Sequence, residues 1–199
     1  MFMTKINEVL PYDYEVLLQK VHAKLTDSRY NHVLRVADTA EALAQQYSAD
    51  PVKARIAGIV HDYAKQFPDE AFKQVIMSQK LAPELLGYNN GIWHGVVGTY
   101  FIKRDLRIFD TAILSAVAKH TTADVEMSAL DQIIFIADYI EPNRNFPGID
   151  AARKAAQKSL AIGVAFELQH TLRYLVTQGA KIYPKTIISY NTWREYLEN

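Results

Sequence analysis

The chain has 199 residues, 49% hydrophobic and 22% charged, with 22 basic side chains balancing 22 acidic ones. That apolar share excludes a disordered chain, the length allows a substantial core, and zero net charge leaves no overall field for a nucleic acid polymer or an anionic membrane. Cysteine is absent, which excludes disulfides, thiolate metal sites and thiol nucleophiles.

The first sixteen residues, MFMTKINEVLPYDYEV, contain no apolar core of signal-peptide length. No apolar run approaches the roughly 18 residues needed to cross a bilayer. A soluble, cytoplasmic protein is expected. From about Asp27 to Tyr47, the residues Val33, Val36, Ala37, Ala40, Leu43, Ala44 and Tyr47 follow the 3.6-residue period of an amphipathic helix. Asp50 followed by Pro51 starts the next helix, an N-cap acceptor before a first-turn proline. Ile56, Ile59, Val60, Tyr63, Ala64 and Phe67 extend that helix along one face until Pro68.

Weaker helical patterns cover about 70–79 and 93–104. Asp110 caps a helix carrying Ile113, Leu114, Val117 and Ala118. Ser128 and Asp131 form a capping box ahead of Leu130, Ile133, Ile134, Ala137 and Ile140, in a helix that stops near Pro142. Asp150 opens a long helix to about Gln178, closed by Gly179, and a short helix is expected around 189–197. The stretch YPKTIISY, Tyr183 to Tyr190, is rich in β-branched residues but too short and isolated to build a sheet. The expectation is an all-α fold in a single domain over 1–199, with its core at about 20–178 and a C-terminal loop and short helix at 179–199.

Four histidines and two aspartates fall on or at the ends of successive helices, in otherwise apolar stretches. They are His32 in RYNHVLRVA, His61 and Asp62 in GIVHDYAK, His94 in IWHG, His120 in AKHTT and Asp138 in FIADYIEPNR. An acid inside FIADYI cannot sit unpaired on an apolar face without a large desolvation cost. A shared cation satisfies all six groups together, and imidazole with carboxylate suits iron, manganese or zinc. Neighbours on a regular helix point about 100° apart, so His61 and Asp62 can serve one cluster if it lies over a helix end. Asp62 has two oxygens and can bridge two ions, which favours a two-metal site. His22 and His170 lie outside these motifs, and no metal contact is expected for either. Tyr63, Trp93 and Tyr139 adjoin the candidate ligands as core or pocket-wall residues.

The order H…HD…H…H…D in these segments, with the run MSALDQIIFIADYIEPNR, resembles the HD-domain phosphohydrolase superfamily. More narrowly, it resembles the YqeK-type family of symmetrical bis(5'-nucleosyl)-tetraphosphatases, over about residues 20 to 192. The resemblance implies an HD-domain helical bundle, a homodimer and a dinuclear iron-type centre, with manganese or another divalent ion as the alternative. It implies cleavage of diadenosine tetraphosphate into two ADP by metal-activated hydroxide attack on phosphorus. One metal would be held by His32, His61, Asp62 and Asp138, the other by Asp62, His94 and His120. Asp62 and Lys65 would be the catalytic pair, with Lys65 on the face of His61 if the helix persists. Arg29, Lys65 and Arg144 would meet phosphate, with His94, His120 and Thr121 also against the substrate. Lys181, Ile182, Tyr183, Pro184, Lys185 and Thr186 match a loop that lies against the nucleotide in that family. Ala123 stands in HTTA where the family pattern leads one to expect Gly, and Ala accepts most backbone geometries except a positive φ.

Metal ligands see phosphate and not base. Another nucleotide (a nucleoside monophosphate, a deoxynucleoside triphosphate or a guanosine alarmone) is therefore the alternative substrate. A non-catalytic nucleotide-sensing module is the alternative to an enzyme. Neutral charge and the lack of a basic recognition stripe disfavour a DNA-binding protein.

Overall fold

The computed structural model describes Ile6 and residues 8–197, so the outermost positions of the 1–199 domain assignment lie outside the described residues. The helices in chain order are α1 (Tyr14–His22), α2 (Asp27–Gln46), α3 (Pro51–Val60) and α4 (Asp69–Ser78). A 3-10 turn at Pro83–Gly87 leads to α5 (Asn90–Val96), α6 (Gly98–Phe101) and a π turn at Ile102–Leu106. Then come α7 (Thr111–Lys119), α8 (Ala129–Ile140), α9 (Ile149–Lys158), α10 (Leu160–Thr177), α11 (Pro184–Trp193) and a last 3-10 turn at Arg194–Leu197. No strand occurs among the described residues, in keeping with the all-α expectation.

Caps readable in the sequence set several of these boundaries. Asp50 accepts hydrogen bonds from the Val52 and Lys53 N–H groups at 2.9 and 3.1 Å, and Pro51 takes the first position of α3. Asp110 does the same for Ala112 and Ile113 at 3.0 Å. Ser128 and Asp131 cap each other's backbone at the start of α8. Each such cap is worth about 1 kcal/mol.

The apolar stripe of α2 is buried from Val33 to Ala44, and α2 packs along α3. The approach is closest at Gly58, where a Cβ would lie 2.6 Å from Ala37 Cα, so only glycine fits. Helix α8 contacts α2, α3, α7 and α10. It therefore buries residues on every side, including Leu130, Ile133, Ile134, Phe135, Ile136 and Ala137, as an apolar central helix must. Asp138 sits in the last turn of this central helix.

Four expectations change. First, α3 stops at Val60, not near Phe67, and the chain from His61 to Phe67 runs in turns with i→i+3 bonds (Tyr63 N to Val60 O, Lys65 N to Asp62 O, Phe67 N to Ala64 O). The Gly58 carbonyl is taken by the His61 side chain at 2.7 Å, which draws it away from the regular ladder. Second, the expected 93–104 helix is broken into α5, α6 and the π turn, in a stretch weakened by Gly95 and Gly98. Third, the long helix after Asp150 divides at Ser159, whose extended backbone and hydroxyl, 3.1 Å from the Ile162 N–H, make it the N-cap of α10. Gly179, at φ +60, does close α10. Fourth, YPKTIISY is helical from Pro184 onward, because Pro184 sets the first turn and Thr186, Ser189 and Trp193 bury one face. Packing of α11 on α10 overrides the β-branched composition.

Ala123 takes φ +54, the geometry for which glycine was expected. The strain costs about 1 kcal/mol and is held by full burial of the methyl and a 2.8 Å bond from the Ala123 N–H to the Lys119 carbonyl. No helix among the described residues is long and apolar enough to cross a membrane.

Candidate metal centre

The six expected ligands converge. Asp62 lies at the middle, with Oδ2 3.9 Å from His32 Nε2 and 3.7 Å from His61 Nε2, and Oδ1 3.2 Å from His94 Nε2 and 3.8 Å from His120 Nε2. Asp138 Oδ1 is 3.1 Å from His32 Nε2 and 4.0 Å from His61 Nε2. Three overlapping groups have their donor atoms within 4.8 Å of one another: His32, His61 and Asp62; His61, His120 and Asp138; and Asp62, His94 and His120. His22 and His170 stand elsewhere, His22 against Asp27 and Tyr30 and His170 stacked on Phe166.

Local structure aims each ring. His61 and His120 are the C-caps of α3 and α7, and each donates from Nδ1 to the carbonyl three residues back, Gly58 and Val117, at 2.7 Å. His94, within the short α5, turns Nδ1 to the Asn90 carbonyl at 2.5 Å. His32 donates from Nδ1 to Glu141 Oε1 at 3.2 Å. With every Nδ1 occupied as a donor, every Nε2 presents a lone pair inward, the tautomer a metal needs. The end of α3 at His61 is what lets adjacent His61 and Asp62 face the same centre.

These donors fit a cation. His32 Nε2 and His61 Nε2 are buried without a hydrogen-bond partner, and His94 Nε2 lies 3.0 Å from His120 Nε2, lone pair toward lone pair. Burial pushes His120 down to about 3 and also lowers His61, although Asp62 and Asp138 pull the other way, so both rings are neutral ligands at pH 7. Burial alone would raise the Asp62 and Asp138 carboxyls. When protonated, the rings of His61 and His94 outweigh it at Asp62, and those of His32 and His61, with Arg144, outweigh it at Asp138, so both acids are held well below the usual carboxylate range. All-nitrogen and oxygen donors, with no thiolate, suit a hard or borderline divalent ion.

Cations ring the centre. Arg29 donates to Asp62 Oδ2 at 2.9 Å, and Arg144 to Asp138 Oδ1 at 2.5 Å and to the Asp138 carbonyl at 2.8 Å. Lys65 does not reach the site by helical spacing, since the helix has ended. The tight turn instead places its Nζ 3.2 Å from His94 Nε2. Burial lowers the Lys65 ammonium against the pull of Asp62.

Two spaces flank the ligands. A cavity of about 390 Å³ is lined by Tyr88, Ile92, Thr121, Thr171, Lys181 and Tyr183 among others, with Thr186 also on its wall. The Thr121 hydroxyl is buried there without a partner. Lys181 lies over the Tyr88 ring at 4.3 Å and bonds the Gly87 carbonyl, while Tyr183 meets Tyr88 edge to face. The Ile182 carbonyl faces the Tyr88 hydroxyl at 3.5 Å, Pro184 opens α11, and Lys185 is paired with Asp124 at 2.7 Å. On the other side, a polar cleft of about 300 Å³ is lined by Arg29, His32, Arg35, Glu141, Asn143 and Arg144.

Sequence reasoning missed Glu141 and Arg35. Glu141 is buried at the end of α8, holds His32, and is itself held by Arg35 at 2.7 and 3.2 Å and by the Asn143 N–H at 2.7 Å. Burial would raise its carboxyl, but these donors bring it down to about 2. The signal lay in FIADYIEPNR: an acid three residues after Asp138, at a helix end, beside a histidine helix.

The HD-domain family model matches residues 29–143, which contain all six candidate ligands. This chain belongs to the HD-domain family. Within the HD-domain proteins it is 40% identical over 177 residues to the symmetrical bis(5'-nucleosyl)-tetraphosphatase of Bacillus subtilis (strain 168), covering 89% of this chain and 95% of that protein. The enzyme of the same name from Staphylococcus aureus (strain NCTC 8325 / PS 47) is 38% identical over 82% of this chain and 86% of its own length. The crystal structure of a predicted HD superfamily hydrolase involved in NAD metabolism from Clostridium acetobutylicum superposes with a TM-score of 0.87 at 36% identity, covering 92% of this chain and 98% of that one. The all-α HD bundle and the family expected from the motifs are thus both met.

Proposed function

We propose that this HD-domain protein is a metal-dependent hydrolase that cleaves diadenosine tetraphosphate symmetrically into two ADP. The observation that carries the reading is the convergence of four inward Nε2 atoms on two carboxylates beside a nucleoside-sized cavity. The names of the bacterial relatives support the substrate.

His32, His61, Asp62 and Asp138 would hold one ion and Asp62, His94 and His120 a second, with Asp62 bridging. Iron is the first choice on the family resemblance, and imidazole with carboxylate donors also admits manganese or another divalent ion. Ions bound there would supply Lewis acidity toward phosphoryl oxygen and would lower the pKa of water.

The remaining work falls to the chain. Glu141 and the three carbonyls fix ring orientation and tautomer. Lys65, half-buried and beside His94, offers an ammonium to the charge that develops on the phosphoryl or leaving oxygens. Arg29 and Arg144 turn guanidinium groups to the rim of the polar cleft, where phosphates can replace or share their carboxylate partners. Tyr88, Tyr183 and Lys181 form the wall on which a base can lie. A homodimer, which rests on the family resemblance, and a cytoplasmic location, which rests on the cysteine-free composition, belong to the same proposal.

The test is a panel of nucleotides incubated with metal-loaded protein, with products separated by chromatography. Two ADP per diadenosine tetraphosphate, formed faster than turnover of nucleoside monophosphate, deoxynucleoside triphosphate or guanosine alarmone, is expected. Faster turnover of one of those competitors would transfer the assignment to it, and no turnover of any would favour a sensing module.

A further inference from the structure

One buried acid is left over from this account. Glu167 on α10 is 7% exposed, and its Oε2 is buried with no hydrogen-bond partner. Burial first, and the Asp138 charge second, push its carboxyl well above the usual range against the pull of Arg144, which favours its protonated form. A buried carboxyl without a partner costs stability and needs a reason to be there.

Its position supplies one. Thr171 and Leu175 line the 390 Å³ cavity. Glu167 is one helical turn before Thr171 and two before Leu175, so the three share a face of α10. At its own end of that stripe, α10 packs on α8, and Asp138 and Arg144 are near enough to act on the Glu167 charge. Glu167 therefore continues the face of α10 that lines the cavity, at the end nearer Asp138. A nucleotide with its base in the cavity and its phosphates at the ligands would run its ribose along this face.

We propose that Glu167 reads the ribose, its carboxyl donating a hydrogen bond to one hydroxyl and accepting one from the other, and so selects ribonucleotides over deoxyribonucleotides. A neutral carboxylic acid carries one donor and acceptor capacity, which complements a vicinal diol. A phosphate at this point would use only the donor, and an ionised carboxylate would repel it. A site built for a hydroxyl rejects the analogue lacking it, because the buried partner is left unpaired. This inference rests on the placing of a nucleoside in the cavity proposed above.

The test is equilibrium binding of ADP, 2'-deoxy-ADP and 3'-deoxy-ADP to metal-loaded wild-type protein, Glu167→Gln and Glu167→Met, by calorimetry. The expected result is ADP at least about tenfold tighter than either deoxy form for wild type and for Glu167→Gln, which keeps a donor and an acceptor. Glu167→Met, of similar shape, should bind all three within about threefold. Glu167→Leu is the second apolar variant, should Glu167→Met misfold. Equal binding of all three by wild type, or discrimination retained in the apolar variants, overturns the inference. If either result accompanies normal cleavage of diadenosine tetraphosphate, the ribose assignment alone fails. If wild type neither binds ADP nor cleaves, the nucleotide reading falls as well.

Discussion

Glu141 Oε1 accepts a hydrogen bond from His32 Nδ1 at 3.2 Å across 109 positions of sequence. The end of the central helix thereby sets the tautomer of a ligand on the first long helix. Arg35, one turn after His32 on α2, closes the arrangement by gripping the same carboxylate.

Replacing this acid tests whether orientation matters. Glu141→Gln should weaken metal affinity by about 10- to 100-fold, the usual effect of losing an outer-layer partner. Titration of the metal-free protein with manganese measures it. An unchanged affinity would show that His32 needs no such support.

Asp62 has contacts with all four histidines and should be the least replaceable residue. Asp62→Ala is expected to lose bound metal and turnover together, while His170→Ala, on a ring stacked against Phe166 away from the candidate ligands, should keep both nearly intact. Elemental analysis beside the hydrolysis assay reads both outcomes. Retained metal in Asp62→Ala contradicts the bridging role.

Lys65 separates charge stabilisation from metal binding. Lys65→Met should leave metal content unchanged and cut kcat by about 10²- to 10³-fold, the cost of losing a group that meets developing charge. If metal leaves with the lysine, its role is to hold His94 rather than the substrate.

How much of this could be read from the chain follows from what each signal depends on. Caps such as Asp50-Pro51 and Ser128…Asp131 act within one turn, so their boundaries are local and legible. The gathering of these six side chains was legible because buried His and Asp in apolar runs require a common explanation. The end of α3 was not, because the apolar period runs on through Tyr63 and Phe67, both packed in the core, while the backbone has already tightened around His61. Glu141 and Glu167 escaped because their meaning depends on neighbours about 109 and 29 residues away (His32 and Asp138), which only packing brings near.

The pH dependence of folding carries a further check. Glu167 is raised above its ordinary value of 4.5 in the folded chain. Above pH 4.5 the unfolded chain releases this proton while the folded chain keeps it, so stability falls as pH rises. The loss is up to about 1.4 kcal/mol per pH unit until the folded group ionises. In metal-free protein, the stability of Glu167→Gln relative to wild type should therefore grow as the pH rises from 4.5 toward neutrality. Denaturant titrations across that range measure it, and a constant difference would mean that the buried carboxyl is already ionised.

The central claim is met most directly by an anomalous scattering map from crystals of protein purified without oxygen and loaded with iron or manganese. The account predicts two peaks flanking Asp62, one toward His32, His61 and Asp138 and the other toward His94 and His120. Density for the six side chains in place with no peak among them would contradict it.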